Sequence, residues 1–241
     1  MDYYGDDSSQ NPIYDYGSNN SAIYERDENS ILSKVFGWMT AGLGISAIAA
    51  LGSFYFLGDI IMVAYLPLII IELIMVLVFS AKLNSLSPTA AKVCFIAYSI
   101  VNGLTLSSIF FAYKIGSIYT TFFIAASMFG VAAIYGKVTK KNLSGIGTYL
   151  IMGLWGLIIA GIVNIFIQNS MLDFIVSAAG VLIFVGLTAY DVNKIKTLAI
   201  SNSGIEDSGE MNKLVIWGAL SLYLDFINLF LKLLRFFGKR K

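Results

Sequence analysis

The sequence predicts an all-α polytopic membrane protein, a bundle of seven transmembrane helices with almost no soluble domain. Three observations predict it. Of 241 residues, 57% are hydrophobic and 13% charged, with a mean hydropathy of +0.76; soluble domains carry about 45–50% apolar and about 25% charged residues. Apolar runs of about 20 residues recur from Val35 onward, the length a helix needs to cross about 30 Å of hydrocarbon. Each run is apolar on all faces, which excludes a striped soluble helix and the alternating strands of a barrel.

In chain order, residues 1–34 stand apart. They hold seven acids (Asp2, Asp6, Asp7, Asp15, Glu25, Asp27, Glu28) against Arg26 and Lys34, with Ser, Asn, Gly and tyrosines between. No basic n-region precedes an apolar core, so the segment does not read as a signal peptide. Its composition predicts a disordered, acidic cytoplasmic tail, its tyrosines either spacer or docking motif. The domain predicted over 35–241 has spans at 35–57, 60–81, 92–113, 117–136, 146–168, 171–191 and 213–234. The connectors are short except the sixth, which contains SNSGIEDSGE. Small residues at Gly42 and Gly44, Gly103 and Ser107, Ala126 and Gly130, and Gly156 and Ala160 predict close helix approach.

Lys and Arg set the orientation. With seven spans, ten fall on the N-terminal side (Arg26, Lys34, Lys82, Lys92, Lys137, Lys140, Lys141, Lys194, Lys196, Lys213) and Lys114 alone lies opposite, before the tail. The N-terminus is therefore predicted to be cytoplasmic. The C-terminal cluster of Arg235, Lys239, Arg240 and Lys241, with Lys232 still inside the span, leaves two options. Either the seventh helix crosses and departs from the rule, or it re-enters.

Composition also removes function classes. A net charge of +1 without a clustered basic face predicts no nucleic-acid partner. A single cysteine, Cys94, excludes an intramolecular disulfide, and the absence of histidine excludes His-dependent catalysis and His metal sites.

The few charges within spans are the candidate functional residues. Glu72 sits in IIIELIMVLV, Asp225 in SLYLDFINLF, and Asp191 closes the sixth span in LTAYDVNKIK. An ionisable group at bilayer depth costs a few kcal/mol and usually faces a partner or a water-filled path. The alternatives are a hydrogen-bonded neutral carboxyl in a packed interface for Glu72 and Asp225, and an interfacial helix end for Asp191. If Asp191 and Asp225 meet across two helices they share a proton and titrate as a unit, because adjacent carboxylates do not both ionise cheaply in a low dielectric. Such a pair is also a possible calcium seat. Lys82, about three turns beyond Glu72, either reaches inward as a counter-charge or extends to the headgroups. Asn102, Asn164 and Asn228 predict interhelical hydrogen bonds, and Lys194, Lys196 and Lys213 read as membrane-surface anchors.

Several segments resemble the Bax inhibitor-1 family: VFGWMTAGLGISAIAA, IVNGLTLSSIFFAY, ASMFGVAAIYGKVTKKNLSGIGTYLIMGLWGLIIAGIVN, GLTAYDVNKIK and LVIWGALSLYLDFINLFLKLLRFFG. The likeness covers roughly residues 31–238 and is most specific in the last two motifs. It implies a bundle whose last helix is surrounded by the other six. It also implies a pH-sensitive calcium leak with Asp191 and Asp225 as proton sensor and ion pathway, and Glu72 as the family's helix-two acid. Bacterial relatives place a latch arginine near the cytoplasmic end of helix two, where this chain offers Lys82, which lacks the planar fork of arginine. Low Arg content and the absence of organellar sorting signals predict a bacterial member, and with it a bacterial inner-membrane location.

The expected function is a passive calcium pathway gated by protons, with no enzymatic activity and no cofactor other than the permeant ion. Its expected partners are the bilayer, calcium and protons. The main alternative is a non-conducting interaction protein that modulates a membrane protease or a stress response. A proton-coupled transporter and an aspartyl-type intramembrane protease are more distant alternatives, the first lacking paired broken half-helices.

Overall fold

The computed structural model describes residues 16–82, 85–201 and 208–241. In chain order its helices are α1 (Tyr16–Phe56), α2 (Gly58–Lys82), α3 (Pro88–Leu106), α4 (Ser108–Ala112), α5 (Ile115–Val138), α6 (Ser144–Ile167), α7 (Ser170–Ser201) and α8 (Ser208–Phe237). Among the described residues, seven segments are long and apolar enough to span a bilayer, α3 and α4 together forming one of them, Pro88–Ala112. The break falls at Ser107, whose N–H reaches back to the carbonyls of both Gly103 and Leu104.

Local chemistry sets the helix ends. Ser87 accepts the Ala90 N–H at 3.2 Å and Pro88 opens α3, satisfying one free donor and removing another. α6 ends on Gln168 in the left-handed region at φ 52°. Asn164 then accepts the Asn169 N–H, and Asn169 accepts those of Met171 and Leu172 to start α7. The predicted interhelical role of Asn164 is therefore replaced by a turn.

α8 organises the bundle. Between Met211 and Leu234 none of its residues is exposed. Of its apolar window 67% is buried, against 6% in α2 and in α6. It packs against α1, α3, α5 and α7, whereas α2 leans on α3 and α6 on α7. A polar group on α8 therefore faces protein, not lipid.

Small residues permit part of this packing. A Cβ on Gly103 would stand 2.5 Å from the Ser46 carbonyl oxygen, and one on Gly42 2.6 Å from the Phe95 ring, so α1 and α3 meet through glycine as predicted. Gly44, Gly130 and Gly156 face open space instead. Tight positions that the sequence did not single out include Gly136 against Ala189 and Gly147 against Tyr190.

Two boundaries differ from expectation. α1 begins at Tyr16, and Ile31 and Leu32, assigned by composition to the tail, are 4% and 2% exposed in the core. Residues 1–15 of the expected tail lie outside the described residues, as does the connector 202–207. α7 runs to Ser201, ten residues beyond Asp191. The charges after Asp191 end the apolar run without ending the helix, because Val192, Ile195 and Ala199 continue a buried face. Of the two options left for the last helix, crossing is the one that fits: α8 is long and apolar enough to span. Its end is tied to the start of α5: Lys114 donates to the Lys239 carbonyl at 3.0 Å, Lys241 to that of Ala112 at 3.1 Å, and Tyr113 and Arg240 form an antiparallel bridge.

Candidate functional site

The register of α7 against α8 comes from two close approaches: the Lys232 stem lies on Gly180, and Ile195 lies on Gly218. In that antiparallel register Asp191 is level with Ser221, whose hydroxyl hydrogen-bonds to it. Asp225 stands one turn further along α8, about 5–6 Å by helix rise, close enough for the two carboxyls to interact electrostatically. Asp191 and Asp225 are thus brought together across the α7–α8 seam. α7 continues ten residues beyond Asp191, so Asp191 lies within the helix and not at its end.

Asp225 is 5% exposed, and its Oδ2 is buried without a hydrogen-bond partner among the described residues. A buried carboxyl oxygen left unpaired costs about 1–3 kcal/mol, so the site holds a polar group that packing alone does not require. Beside the pair, Lys194 lies 4.8 Å from the Trp217 ring centroid and 5.8 Å from that of Tyr190. It therefore bridges α7 and α8 and does more than anchor the surface. Lys196 donates to the Lys137 carbonyl at 2.8 Å and lies 3.9 Å from Glu28.

Glu72 belongs to a different place. Its Oε1 accepts from Tyr98 at 3.2 Å and from the Asn102 amide. The Asn102 Oδ1 accepts from the Tyr223 hydroxyl at 2.7 Å, which in turn lies 2.6 Å from the Ser46 Oγ. The Ser46 Oγ also lies 2.7 Å from the Ser99 carbonyl oxygen and 3.0 Å from that of Gly42, acceptors between which its single proton can turn. One polar chain thereby joins α2, α3, α8 and α1. Tyr223 and Asp225 are two residues apart, about 200° around the helix, so this chain and the aspartate pair occupy opposite sides of α8. Asn102 makes the interhelical bonds expected of it, whereas Asn228 donates to Leu224 in its own helix at 2.8 Å.

Lys82 is the last residue of α2 and is exposed. It lies ten residues from Glu72, about 15 Å along the axis, and makes no ion pair among the described residues. The outward of the two sequence options is the one adopted. Tyr98, Tyr223, Ser46 and Ser221 escaped sequence reasoning. A signal existed for two of them, since tyrosine favours the membrane–water interface and both Tyr98 and Tyr223 fall inside spans.

Among the described residues no group of three or more Asp, Glu or Cys side chains is placed to hold a metal. The aspartate pair with Ser221 offers oxygen donors fewer than the six to eight of a resident calcium site.

Fold and site define a class, that of polytopic α-helical membrane proteins with a carboxyl pair enclosed against an interior helix. A family model described as "Inhibitor of apoptosis-promoting Bax1" matches residues 28–241. The inner membrane protein YbhL of Escherichia coli (strain K12) is 42% identical over 218 residues, covering 87% of this chain and 92% of YbhL. An uncharacterized protein of Borreliella burgdorferi is 44% identical over 223 residues, covering 89% and 94%, and an uncharacterized membrane protein of Streptococcus pyogenes serotype M1 is 35% identical over 234 residues, covering 92% and 99%. The chain belongs to the Bax inhibitor-1 family. It is a multi-pass membrane protein, as the seven spans and the relatives' names agree.

Proposed function

We propose that the protein is a passive, pH-sensitive calcium leak pathway, with its N-terminus in the cytoplasm and Asp191 and Asp225 as its proton sensor. The observation that carries this reading is the Asp225 carboxyl, 5% exposed, with an unpartnered Oδ2 and Asp191 across the seam. Neighbouring carboxyls in a low dielectric titrate as a unit. A proton held between them ties α7 to α8, and full ionisation drives the helices apart by like-charge repulsion. Because α8 packs on four neighbours, its displacement opens the interior.

Calcium and protons compete for the same oxygens. A donor set short of a full calcium shell suits an ion in transit, so calcium is the cargo and no resident cofactor is needed. The protein on this reading is a conduit, not an enzyme. Glu72 serves the pathway indirectly by holding α2 to α3 and α8, and Lys82 is left at the headgroups, so no latch reaches the aspartates in this conformation.

The test is calcium flux into dye-loaded liposomes carrying the purified protein from pH 6 to 8, with Asp191→Asn and Asp225→Asn alongside. The expected result is a pH-dependent wild-type leak whose profile flattens in both variants. No flux above empty liposomes at any pH overturns the reading in favour of a non-conducting interaction protein acting on a membrane protease or other membrane partner.

A further inference from the structure

The side of α8 that carries Asp225 carries more polar groups than a two-carboxyl sensor uses. Ser221, Asp225, Asn228, Lys232 and Arg235 follow one another at spacings of four, three, four and three residues. At about 100° per residue they fall in one stripe about 80° wide. α7 faces that stripe with polar or small residues of its own. Asp191 meets Ser221 and Asp225, Gly180 meets Lys232, and Asp173 meets Arg235 at 3.0 Å. Ser177, between Asp173 and Gly180, has a buried hydroxyl without a partner among the described residues.

From Asp191 to Asp173 is 18 residues of α7, a rise of about 27 Å and close to the ~30 Å of hydrocarbon. Polar and charged groups enclosed between helices over that length are costly at bilayer depth, and charges there usually mark a route or a pairing.

Lys232 stands in the outer half of this seam. It is half-buried, and its stem lies flat on Gly180: a Cβ there would come within 2.9–3.0 Å of Cγ, Cδ and Cε. The ammonium is near enough to Arg235 and Asp173 to feel both charges, but among the described residues Asp173 is paired with Arg235 and not with Lys232. Two cations therefore stand near one carboxylate, and this stretch of the seam carries a surplus positive charge. A divalent ion moving along the seam from the aspartate pair meets that charge before it leaves the bundle.

We infer that Lys232, seated on Gly180, is the electrostatic barrier of a cation route along the α7–α8 seam, limiting calcium more than monovalent ions. The inference rests on the calcium-leak reading and adds a rate- and selectivity-setting residue to it. The physical reason is that repulsion from a fixed charge scales with the charge of the ion, so calcium feels twice what potassium does. An ammonium serving only to pack the helices would limit both ions alike.

The experiment compares calcium and potassium fluxes in proteoliposomes for wild type, Lys232→Met, Lys232→Arg, Gly180→Ala and Asp225→Asn. Size-exclusion profiles confirm that each variant is folded. Met keeps the apolar stem and removes the charge, Arg keeps the charge, and Ala at 180 keeps the lysine but lifts its stem. The expected result is a calcium leak raised about tenfold in Lys232→Met, a calcium-to-potassium ratio that rises with it, and a ratio near wild type in Lys232→Arg. Gly180→Ala should change the ratio as well. If Lys232→Met keeps the wild-type rate and ratio while Asp225→Asn still flattens the pH profile, the barrier is refuted and the leak stands. Absence of leak in every protein, wild type included, removes both.

Discussion

Replacing Tyr223 by phenylalanine removes one oxygen and leaves a ring of the same shape in a site that is 0% exposed. That hydroxyl makes two bonds, 2.7 Å to the Asn102 Oδ1 and 2.6 Å to the Ser46 Oγ. The losses are unequal. Ser46 keeps the carbonyls of Ser99 and Gly42. Asn102 Oδ1 loses the donor that satisfied it, while its amide nitrogen stays on Glu72. One stranded buried acceptor costs about 1–3 kcal/mol in soluble proteins. Interhelical hydrogen bonds in membrane proteins average about 0.6 and reach about 1.7 kcal/mol, because the unfolded chain in the bilayer also finds partners. The lower scale applies here, which gives about 1–1.5 kcal/mol for the hydroxyl. The edge-on contacts of the ring with Phe95 and Tyr98, both at 5.9 Å, survive the change, so the loss is assignable to the oxygen. Reversible unfolding in mixed micelles measures it, and a cycle with Ser46→Ala isolates the shared bond. A Tyr223→Phe protein within about 0.3 kcal/mol of wild type, additive with Ser46→Ala, would refute the claim that this chain of bonds holds α8 to α1, α2 and α3.

Other outcomes follow from the same structure. Gly103→Ala, which would press a methyl against the Ser46 carbonyl and the Ala49 Cβ at 2.7 Å, should cost about 1–3 kcal/mol by overpacking; Gly130→Ala, facing open space, should be neutral in the same unfolding assay. Ile195→Ala removes a side chain that is 0% exposed and should cost about 2–5 kcal/mol. A negligible effect there would contradict the packed extension of α7 past Asp191. Asp173→Asn should destabilise by no more than about 1 kcal/mol, an effect that shrinks in high salt, because the Arg235–Asp173 pair is partly exposed.

The class of protein, the number of crossings and the identity of the enclosed carboxyls were legible in the linear sequence, because hydrocarbon imposes its demand locally. About 20 consecutive apolar residues make a span wherever they occur, and an acid inside one is conspicuous without knowing its neighbours. Glu72 and Asp225 stand out for that reason, and the glycines at 42 and 103 announce a close contact without naming its partner. The true length of α7 was not legible, because a helix continues past its apolar segment when one face still has something to bury. Val192, Ile195 and Ala199 find that burial only in the folded bundle.

The tertiary structure supplied every relation between distant residues. It set Gly180 against Lys232 and Gly218 against Ile195, and so brought Asp191 to Asp225. It joined Glu72 to Asn102 and Asn102 to Tyr223, on the side of α8 turned away from that pair. It also crossed α8 fully and tied Lys239 and Lys241 to the start of α5, where counting charges left two possibilities. Span length and polarity are properties of consecutive residues. Helix register and facing depend on how side chains and glycine gaps separated by tens of residues interlock, and no local stretch of the chain carries that information.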